Sequence, residues 1–288
     1  MLDFLHMRTL IFFSGFTSLV LFVCMLYIWK RQKTYSGFLR WTFASLANAA
    51  GMILASQREI LPDFFTVLIA DILLMLSMML ITSGLTMFSG KKPLDKAYIA
   101  VLLIFTISFL SVMYLWPSFT LRVMIYSAIQ AGLCLIAAYI VYKHLPQVFP
   151  DRSLFLFRFF IACSAFPILR MISAFLDPGE SPELMTASFM HQAVVLAGLQ
   201  IYMIVDIGLL ILNAHRINFE LNKAREEIKT LTGFIPICAS CKKIRDDADA
   251  GGWKQLEDYM SEHIDVEFSH SICPECVKKL YPEFEDKI

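Results

Sequence analysis

Long apolar runs alternate with short polar connections over the first three quarters of the chain. Each run approaches or exceeds the roughly 20 residues that a helix needs to cross a bilayer. Seven such segments are predicted, at residues 9–29, 38–57, 65–88, 97–115, 120–142, 154–176 and 189–213. The pattern therefore predicts a mainly α-helical protein with a seven-helix transmembrane bundle over residues 1–213.

The last apolar segment continues into a polar stretch with no proline between them. Apolar residues in this stretch are spaced alternately four and three apart, which is the heptad pattern of a coiled coil. A coiled-coil linker is therefore predicted over residues 214–231, with a homodimer formed along the 210–231 seam. The alternative is a tether with a short amphipathic face. The seam consists of Leu210, Ala214, Ile217, Leu221, Ala224, Ile228 and Leu231.

The positions of the basic residues predict how the helices are oriented. Lysines and arginines cluster in or beside the first, third and fifth connections, whereas the alternate connections hold only Arg58 and Arg122. Cytoplasmic loops carry the excess of basic residues in membrane proteins. We therefore expect the N-terminus outside the cell membrane and the C-terminus in the cytoplasm.

The composition is that of a membrane protein, and the charge distribution limits the kinds of partner it can bind. Of the 288 residues, 57% are hydrophobic, and the mean hydropathy is +0.62; a soluble domain is about 45–50% apolar. The 25 basic and 25 acidic residues are unevenly divided, with 14 and 10 in residues 1–213, which leaves 11 and 15 in residues 214–288. The apolar helices imply membrane lipid as a partner, and the acidic tail argues against nucleic acid.

Four ionisable residues lie within or at the ends of apolar segments, namely Asp71, Arg170, His191 and Asp206. Such groups are costly in a bilayer and are usually paired or functional. At 1.5 Å per residue, Asp71 and Arg170 both lie about 9 Å from the outer ends of their helices. Two interpretations stay open: a ligand-sensing pocket formed by Asp71, Arg170 and His191, or an Asp71–Arg170 ion pair that only fixes two helices.

The tail carries two CxxC motifs, at Cys238 and Cys241 and at Cys273 and Cys276. Thiolates from two such turns can converge on a tetrahedral Zn²⁺ ion, and the cytoplasm disfavours disulfides. A module this small often needs a metal for stability. We predict one structural Zn²⁺ per chain in an α+β zinc-ribbon or treble-clef-like module over residues 232–288. Four thiolates are the favoured ligands, with His270 beside them; replacement of one Cys by His270 is the alternative.

Two stretches resemble parts of bacterial signalling proteins. The motifs GFLRW, AAGMILASQREILPDF and LITSGLTMFSGKKP resemble the membrane sensory region that precedes diguanylate cyclase (GGDEF) or histidine kinase modules, although Asp71 stands where an Asn is expected. The tail motifs LTGFIPICASCKKIRDD and FSHSICPEC resemble a segment found after PAS or receiver domains. The resemblance implies a sensor in the bacterial inner membrane. It rests in the N-terminal region on Asp3, Thr9, Leu10, Gly37, Trp41, Gly51, Arg58, Pro62, Gly84, Phe88 and Gly90.

These features together predict a sensor that passes a periplasmic or membrane cue through the coiled coil to the zinc module, which binds a cytoplasmic protein. No enzymatic activity is predicted, because the sequence lacks a Walker loop, kinase signature, HExxH motif and CxxCH motif. Three alternatives stay open. The CxxC thiols are the input of a redox or metal sensor, or the chain is a membrane-tethered, anti-sigma-like transcription regulator, or it is a transporter or membrane enzyme that uses Asp71 and Arg170.

Overall fold

The computed structural model describes residues 7–147, 153–176, 189–232, 236–246, 252–263 and 268–280. The chain divides into two compact units, Met1–Glu220 and Leu221–Ile288. This division falls inside the predicted 214–231 linker. The first unit contains the apolar helices, and the second contains the four cysteines of the tail.

Seven helices of the described chain are long and apolar enough to span a membrane, which confirms the number predicted from the apolar segments. Their bounds lie close to those segments, and the protein has the helices expected of a multi-pass membrane protein. A π-helical turn at Phe64–Ile69 leads directly into the third helix. The helices are α1 (Met7–Arg31), α2 (Phe38–Ser56), α3 (Ala70–Phe88), α4 (Asp95–Tyr114), α5 (Phe119–His144), α6 (Ser153–Leu176) and α7 (Phe189–Thr232).

Burial separates central helices from peripheral ones. In α2, 61% of the most apolar window is buried, against 17% in α4. The outward face of α4 carries Ile99, Leu103, Ile104 and Ile107, which are all more than half exposed. Such a continuous apolar surface is unusual on a soluble protein, but in a bilayer it faces lipid tails. The burial pattern therefore agrees with a bundle whose peripheral helices contact the membrane.

Two glycines allow α2 and α3 to approach each other closely. A Cβ atom at Gly84 would overlap the Trp41 indole, and Gly37 has a left-handed φ of +100° that favours glycine. Trp41 is fully buried, its Nε1 donates to the Ile81 carbonyl at 3.3 Å, and its ring lies 5.2 Å from that of Phe88. Gly37, Trp41, Gly84 and Phe88, four positions that carry the resemblance, thus lie together.

The helix α7 is continuous through the apolar and polar stretches, as the absence of a helix breaker predicted. It contains 44 residues, from Phe189 to Thr232. Leu210 packs against the bundle core, whereas Leu221 is 65% exposed. The side chains of Ile228 and Leu231 lie outside the described part of the chain, so the coiled coil stays a prediction.

The second unit is small, and its described residues form little apolar core. Two short antiparallel strands, β1 (Ile244–Asp246) and β2 (Gly252–Lys254), precede α8 (Leu256–His263) and α9 (Pro274–Leu280). Among its described residues, Ile244 is the one buried apolar side chain. The Lys254 ammonium contacts the carboxylates of Asp246 at 2.9 Å and Glu262 at 2.7 Å, and these ion pairs raise its pKa. So small a core is consistent with a module that needs another source of stability.

The orientation can be tested with single cysteines in two connections. We expect Trp116→Cys, in the connection between α4 and α5, to react with an impermeant thiol reagent in intact cells. Lys92→Cys, between α3 and α4, should react only after the cells are opened, because basic connections stay in the cytoplasm. Mass-tag labelling of the parent protein in intact cells gives the background. Labelling of position 92 in intact cells would contradict the orientation.

Candidate functional site

A charged cavity opens at the end of the bundle where α2, α4 and α6 finish and α3 and α5 begin. Its volume is about 580 Å³, counting its open mouth. An adjoining cavity of about 520 Å³ lies deeper and shares Arg58, Asp71, Tyr126 and Arg170 with the first. The predicted orientation places this end on the periplasmic side. The charged residues that line the outer cavity are Arg58, Asp63, Asp71, Arg122 and Arg170.

Asp71 forms an ion pair with Arg58, and not with the predicted Arg170. Arg58 Nη2 lies 3.7 Å from Asp71 Oδ1, and both side chains are at most 16% exposed. Arg58 Nε also donates to the Thr66 carbonyl at 3.2 Å, within the π-helical turn. The connection after α2 thus folds Arg58 back over the start of α3. Arg58 belongs to a connection and not to an apolar segment, so matching depths within apolar segments cannot identify it as the partner of Asp71.

Arg170 lines the same cavity as Asp71 but has different contacts. Its guanidinium lies over the Tyr126 ring, 5.2 Å from the centroid. Its Nε is buried and has no hydrogen-bond partner among the described residues. Asp71 and Arg170 thus line one cavity, while the predicted pocket of Asp71, Arg170 and His191 stays a prediction. The side chain of His191 lies outside the described part of the chain.

The deeper cavity reaches α7 through a buried hydrogen bond. Gln130 Nε2 of α5 donates to the Tyr202 hydroxyl of α7 at 2.9 Å. Gln130 is only 5% exposed, yet its Oε1 has no partner among the described residues. Gly198, one turn earlier on α7, also lines this cavity. One wall of the cavity is therefore formed by the helix that continues into the second unit.

Sequence reasoning missed most of the cavity. Arg58 was noted as a charge of an outer connection and as a position of the resemblance, and Arg122 as a charge near the outer face, but neither was assigned to the pocket with Asp71. Tyr126 and Tyr202 gave no signal, because tyrosine is common in apolar helices. A search for basic residues near the outer ends of all helices would have found Arg58 and Arg122.

A second polar cluster lies at the opposite end of the bundle, around Arg216 of α7. The Arg216 guanidinium lies against the rings of Tyr35 and Phe88, 4.1 and 4.9 Å from their centroids. It donates to the Phe88 carbonyl at 2.6 Å. Asn213 Oδ1 accepts from the Tyr35 backbone N–H at 3.3 Å, and Glu220 Oε2 accepts from Lys33 at 3.3 Å. We call these six residues the Arg216 cluster.

Tyr35 of the Arg216 cluster has a raised pKa. Burial, together with the neighbouring Glu220 carboxylate, raises the pKa of Tyr35 to about 12.

The remaining ionisable residue of the apolar segments, Asp206, is 3% exposed and faces Ser45 of α2. Polar contacts thus hold α7 to the bundle at Tyr202, at Asp206 and around Arg216.

The first cysteine pair lies on a tight turn before β1. Cys238 N donates to the Lys243 carbonyl at 2.8 Å, and Lys242 N donates to the Cys238 carbonyl at 3.0 Å. Lys242 has a left-handed φ of 62°. The thiol of Cys238 accepts backbone N–H groups, first that of Cys241, and these hydrogen bonds lower its pKa. The turn therefore presents two adjacent thiols, one of which is favoured as a thiolate.

The second cysteine pair lies at the start of α9. Cys273 directly precedes Pro274, the first helical residue, and its thiol accepts backbone N–H groups, first that of Cys276. These hydrogen bonds lower the pKa of Cys273, while the Cys273 sulfur raises that of Cys276. His270 is exposed and lies 3.8 Å from Glu257 Oε1. All seven cysteines are free thiols.

The two pairs do not form one cluster in this structure. Among the described residues, no three His, Cys, Asp or Glu side chains come close enough to hold a metal ion. Each pair separately fits a metal, because two adjacent thiols on a turn or at a helix start are common ligands of Zn²⁺. Convergence on one ion is therefore a prediction for the metal-bound protein.

Comparison with protein-family models, with curated proteins and with solved structures found no match. The fold and the cavity define a class, that of helical multi-pass membrane proteins with a charged cavity at one end of the bundle. Function is inferred from the cavity, from α7 and from the cysteine pairs.

The Asp71–Arg58 ion pair should contribute to the stability of the bundle. Arg58→Gln and Asp71→Asn should each lower the free energy of unfolding in detergent, and the double variant should lose less than the sum. The expected coupling is about 1–3 kcal/mol, because each single variant leaves a charge inside the bundle without its partner. Denaturant titrations of the four proteins measure it.

The matched control combines Asp71→Asn with Arg158→Gln, which removes an exposed arginine on α6. Those two effects should add to within about 0.5 kcal/mol. Additive effects for Asp71 and Arg58 would mean that their 3.7 Å contact contributes nothing to stability.

Proposed function

We propose that the chain is a signal-transduction protein of the bacterial inner membrane. The seven-helix bundle senses a periplasmic or membrane cue, and α7 passes the resulting change to a cytoplasmic zinc-binding module that binds another protein. The main support for this proposal is that α7 runs from the cavity into the second unit without a break. This one helix lines the cavity with Tyr202, enters the Arg216 cluster and continues to Thr232.

The two ends of the bundle are joined by a short stretch of α7. Tyr202 and Arg216 are 14 positions apart, which corresponds to about 21 Å along a helix. A ligand changes a conformational equilibrium only through contacts that differ between two states. A change at Tyr202 that moves or rotates α7 alters the contacts of Arg216 with the rings of Tyr35 and Phe88. The proposal therefore assigns the Arg216 cluster as the contact that distinguishes the two states.

The polar part of α7 is proposed to pair with the same helix of a second chain. Leu221 is an exposed, large apolar side chain on a polar helix surface, and it belongs to the heptad seam. Burying such a side chain against its mate contributes about 1.5–3 kcal/mol. Small shifts or rotations of helices at subunit interfaces are one way in which proteins pass on a conformational change.

Zinc is proposed as the structural ion of the second unit. The two adjacent thiol pairs, the position of Cys273 at a helix start and the small apolar core support this assignment. A treble-clef-like arrangement would use the turn before β1 for one pair and the start of α9 for the other. The Glu257 contact of His270 fits either proposed role, since a zinc-binding histidine often gives its second N–H to a carboxylate.

One set of observations favours a redox sensor as the second candidate. The thiols of Cys241, Cys273 and Cys276 are exposed, that of Cys238 is half-buried, and the pKa values of Cys238 and Cys273 are lowered. Exposed thiolates react readily with oxidants. The two candidates differ in the purified protein: zinc-bound thiols should react slowly with a thiol reagent, and sensing thiols should react at once.

Crosslinking tests the proposed dimer and its response. In a chain whose other exposed thiols are blocked, Leu221→Cys and Ala224→Cys should form disulfides between chains in membranes. Asn222→Cys and Lys223→Cys, on the same turn but off the seam, should form them at least several-fold more slowly. The four positions share one depth on α7, so reagent access is matched.

The same assay addresses signal transfer. Arg216→Gln should change the rate of Leu221→Cys crosslinking, because it releases α7 from Tyr35 and Phe88. Equal crosslinking at all four positions would mean that α7 is a tether and not a coil. A Leu221→Cys rate that is unchanged by Arg216→Gln would argue against the Arg216 cluster as the transmitting contact.

A further inference from the structure

We propose that the bundle contains a binding site for a soft monovalent metal ion such as Cu⁺, formed by the side chains of Met78, Cys134 and Cys163. The site lies in the first compact unit, apart from the cysteine pairs of the tail. This inference deepens the proposed sensing function by naming the class of its cue, and for the signalling consequence it rests on that function. The binding site itself is inferred from a third cavity and from the sulfur atoms that line it.

The third cavity lies inside the bundle, next to the deeper of the two described above. It has a volume of about 340 Å³ counting its opening, and it shares Gln130 and Tyr202 with the deeper cavity. Its walls come from α3, α5, α6 and α7, and none of its described lining residues carries a formal charge. The cavity is therefore a small, mainly apolar space that adjoins the polar ones.

Three sulfur-bearing side chains from three helices line this cavity. Met78 belongs to α3, Cys134 to α5 and Cys163 to α6, and all three are at most 6% exposed. The two thiols are free, and they are close enough to interact electrostatically where α5 packs against α6. The third member of the group is a thioether, so the group is not one of three His, Cys, Asp or Glu side chains, of which the described chain has none.

The kinds of ligand in this cavity select a soft metal ion. Thiolates and thioethers bind Cu⁺, whereas Mg²⁺ and Ca²⁺ need carboxylate and carbonyl oxygens. Zn²⁺ usually takes four ligands from Cys, His, Asp and Glu, and the described lining offers two thiols without any His, Asp or Glu. Cu⁺ accepts fewer ligands and tolerates a thioether among them. The cavity therefore suits Cu⁺ better than Zn²⁺.

Cu⁺ can bind here without adding net charge to the membrane interior. The ion replaces the proton of one thiol: the S–H bond breaks, a Cu–S bond forms, and the proton leaves to water through the adjoining polar cavities. The other thiol and the Met78 thioether bind as neutral ligands. The pair of Cu⁺ and one thiolate is neutral, which is favourable because uncompensated charge is costly in a bundle. A divalent ion on one thiolate would leave a positive charge.

The third cavity also lies against α7, the helix that continues into the second unit. Tyr202 lines it and accepts a hydrogen bond from Gln130 at 2.9 Å, while Gln130 Oε1 is buried without a partner among the described residues. A Cβ atom at Gly198 would overlap the Phe166 ring, so α6 and α7 are in close contact at this cavity. An ion that draws the two thiols together therefore changes the surface on which α7 packs.

Metal binding is measured on the full-length protein after replacement of the four tail cysteines, because those thiols also bind soft metals. The tail belongs to the other compact unit, so the bundle keeps its cavity. Cu⁺ is added without oxygen in the presence of a competing chelator, and Ag⁺ is a second probe that air does not oxidise. We expect one ion per chain, which equimolar Zn²⁺ does not displace. The background carries Cys238→Ser, Cys241→Ser, Cys273→Ser and Cys276→Ser.

Variants of the three sulfur residues show whether they bind the ion. Cys134→Ala and Cys163→Ala should each weaken Cu⁺ binding by more than about 100-fold, because even groups that only support a metal ligand contribute about 10–100-fold. Met78→Leu should weaken it at least about tenfold. It nearly conserves side-chain volume, so it decides the question if a cysteine variant does not fold. The matched controls, Met79→Leu outside this cavity lining and Cys24→Ala on the exposed face of α1, should bind as the background does.

Binding of Cu⁺ and Ag⁺ that depends on both thiols and on Met78 supports the site. No binding in the background, undiminished binding by the cysteine variants, displacement by equimolar Zn²⁺, or equal effects of Met78→Leu and Met79→Leu would each overturn the proposal. Hydrogen exchange in residues 221–232 is followed with and without the ion. Ion binding without a change in that segment leaves the metal site standing and contradicts the proposed signal transfer.

Discussion

Purified full-length protein should carry one Zn²⁺ per chain, and each of Cys238→Ser, Cys241→Ser, Cys273→Ser and Cys276→Ser should remove it. Binding of structural zinc by small domains releases about 10–16 kcal/mol near neutral pH, and that free energy becomes folding free energy. Among the described residues of this unit, Ile244 is the one buried apolar side chain, so we expect the unit's fold to depend on the ion. Elemental analysis gives the zinc content, and hydrogen exchange over residues 236–280 reports the fold.

The control variant is Cys24→Ser, which removes a thiol on the exposed face of α1 and should leave the zinc content unchanged. His270→Ala should be mild if four thiolates bind the ion, and as severe as a Cys variant if His270 is a ligand. Cobalt substitution distinguishes the ligand sets by the thiolate absorption bands. A second unit that stays folded in chelator with four reactive thiols would contradict the zinc proposal and favour the redox candidate.

Arg216→Gln should lower the free energy of unfolding of the bundle by about 2–4 kcal/mol. The variant loses two cation–π contacts of roughly 0.5–2 kcal/mol each and a charged hydrogen bond of about 1.5–3 kcal/mol, partly offset by relaxation. The hydrogen bond to the Phe88 carbonyl is 2.6 Å long, so it is well formed. Denaturant titration in detergent measures the loss.

Arg225→Gln is the matched control, since it removes an exposed arginine from the same helix. It should change stability by less than about 0.5 kcal/mol. Arg216→Lys should recover part of the loss, because it keeps the charge against the rings but not the planar guanidinium. An Arg216→Gln variant as stable as the control would mean that the cluster does not hold α7 in place.

The helices were predictable because membrane spans leave a strong signal in sequence. A run of about 20 apolar residues has few alternatives to a spanning helix, and the continuity of α7 followed from the absence of proline. The structure of the second unit was harder to predict from the sequence. The spacing of Cys238 and Cys241 indicated a turn with adjacent thiols, but β1 and β2 are only three residues each and carry no periodic pattern.

The cavity was predicted in part. Asp71 and Arg170 were found because an ionisable residue inside an apolar segment is conspicuous. Arg58 was missed as the partner of Asp71 because it belongs to a connection, and its position depends on how that connection folds over the π-helical turn. The Arg216 cluster was missed for a similar reason: it joins Lys33 and Glu220, which are 187 positions apart.

Hydrogen exchange of the full-length protein in nanodiscs tests most directly the central claim that α7 connects the cavity to the second unit. Exchange is compared among the wild type, Arg170→Gln and the control Arg158→Gln, with amides of α7 followed from the bundle to Thr232. The account predicts that Arg170→Gln changes exchange severalfold in residues 221–232, while Arg158→Gln leaves that segment as in the wild type. If Arg170→Gln changes exchange only around the cavity and leaves residues 221–232 as in the wild type, the central claim is wrong.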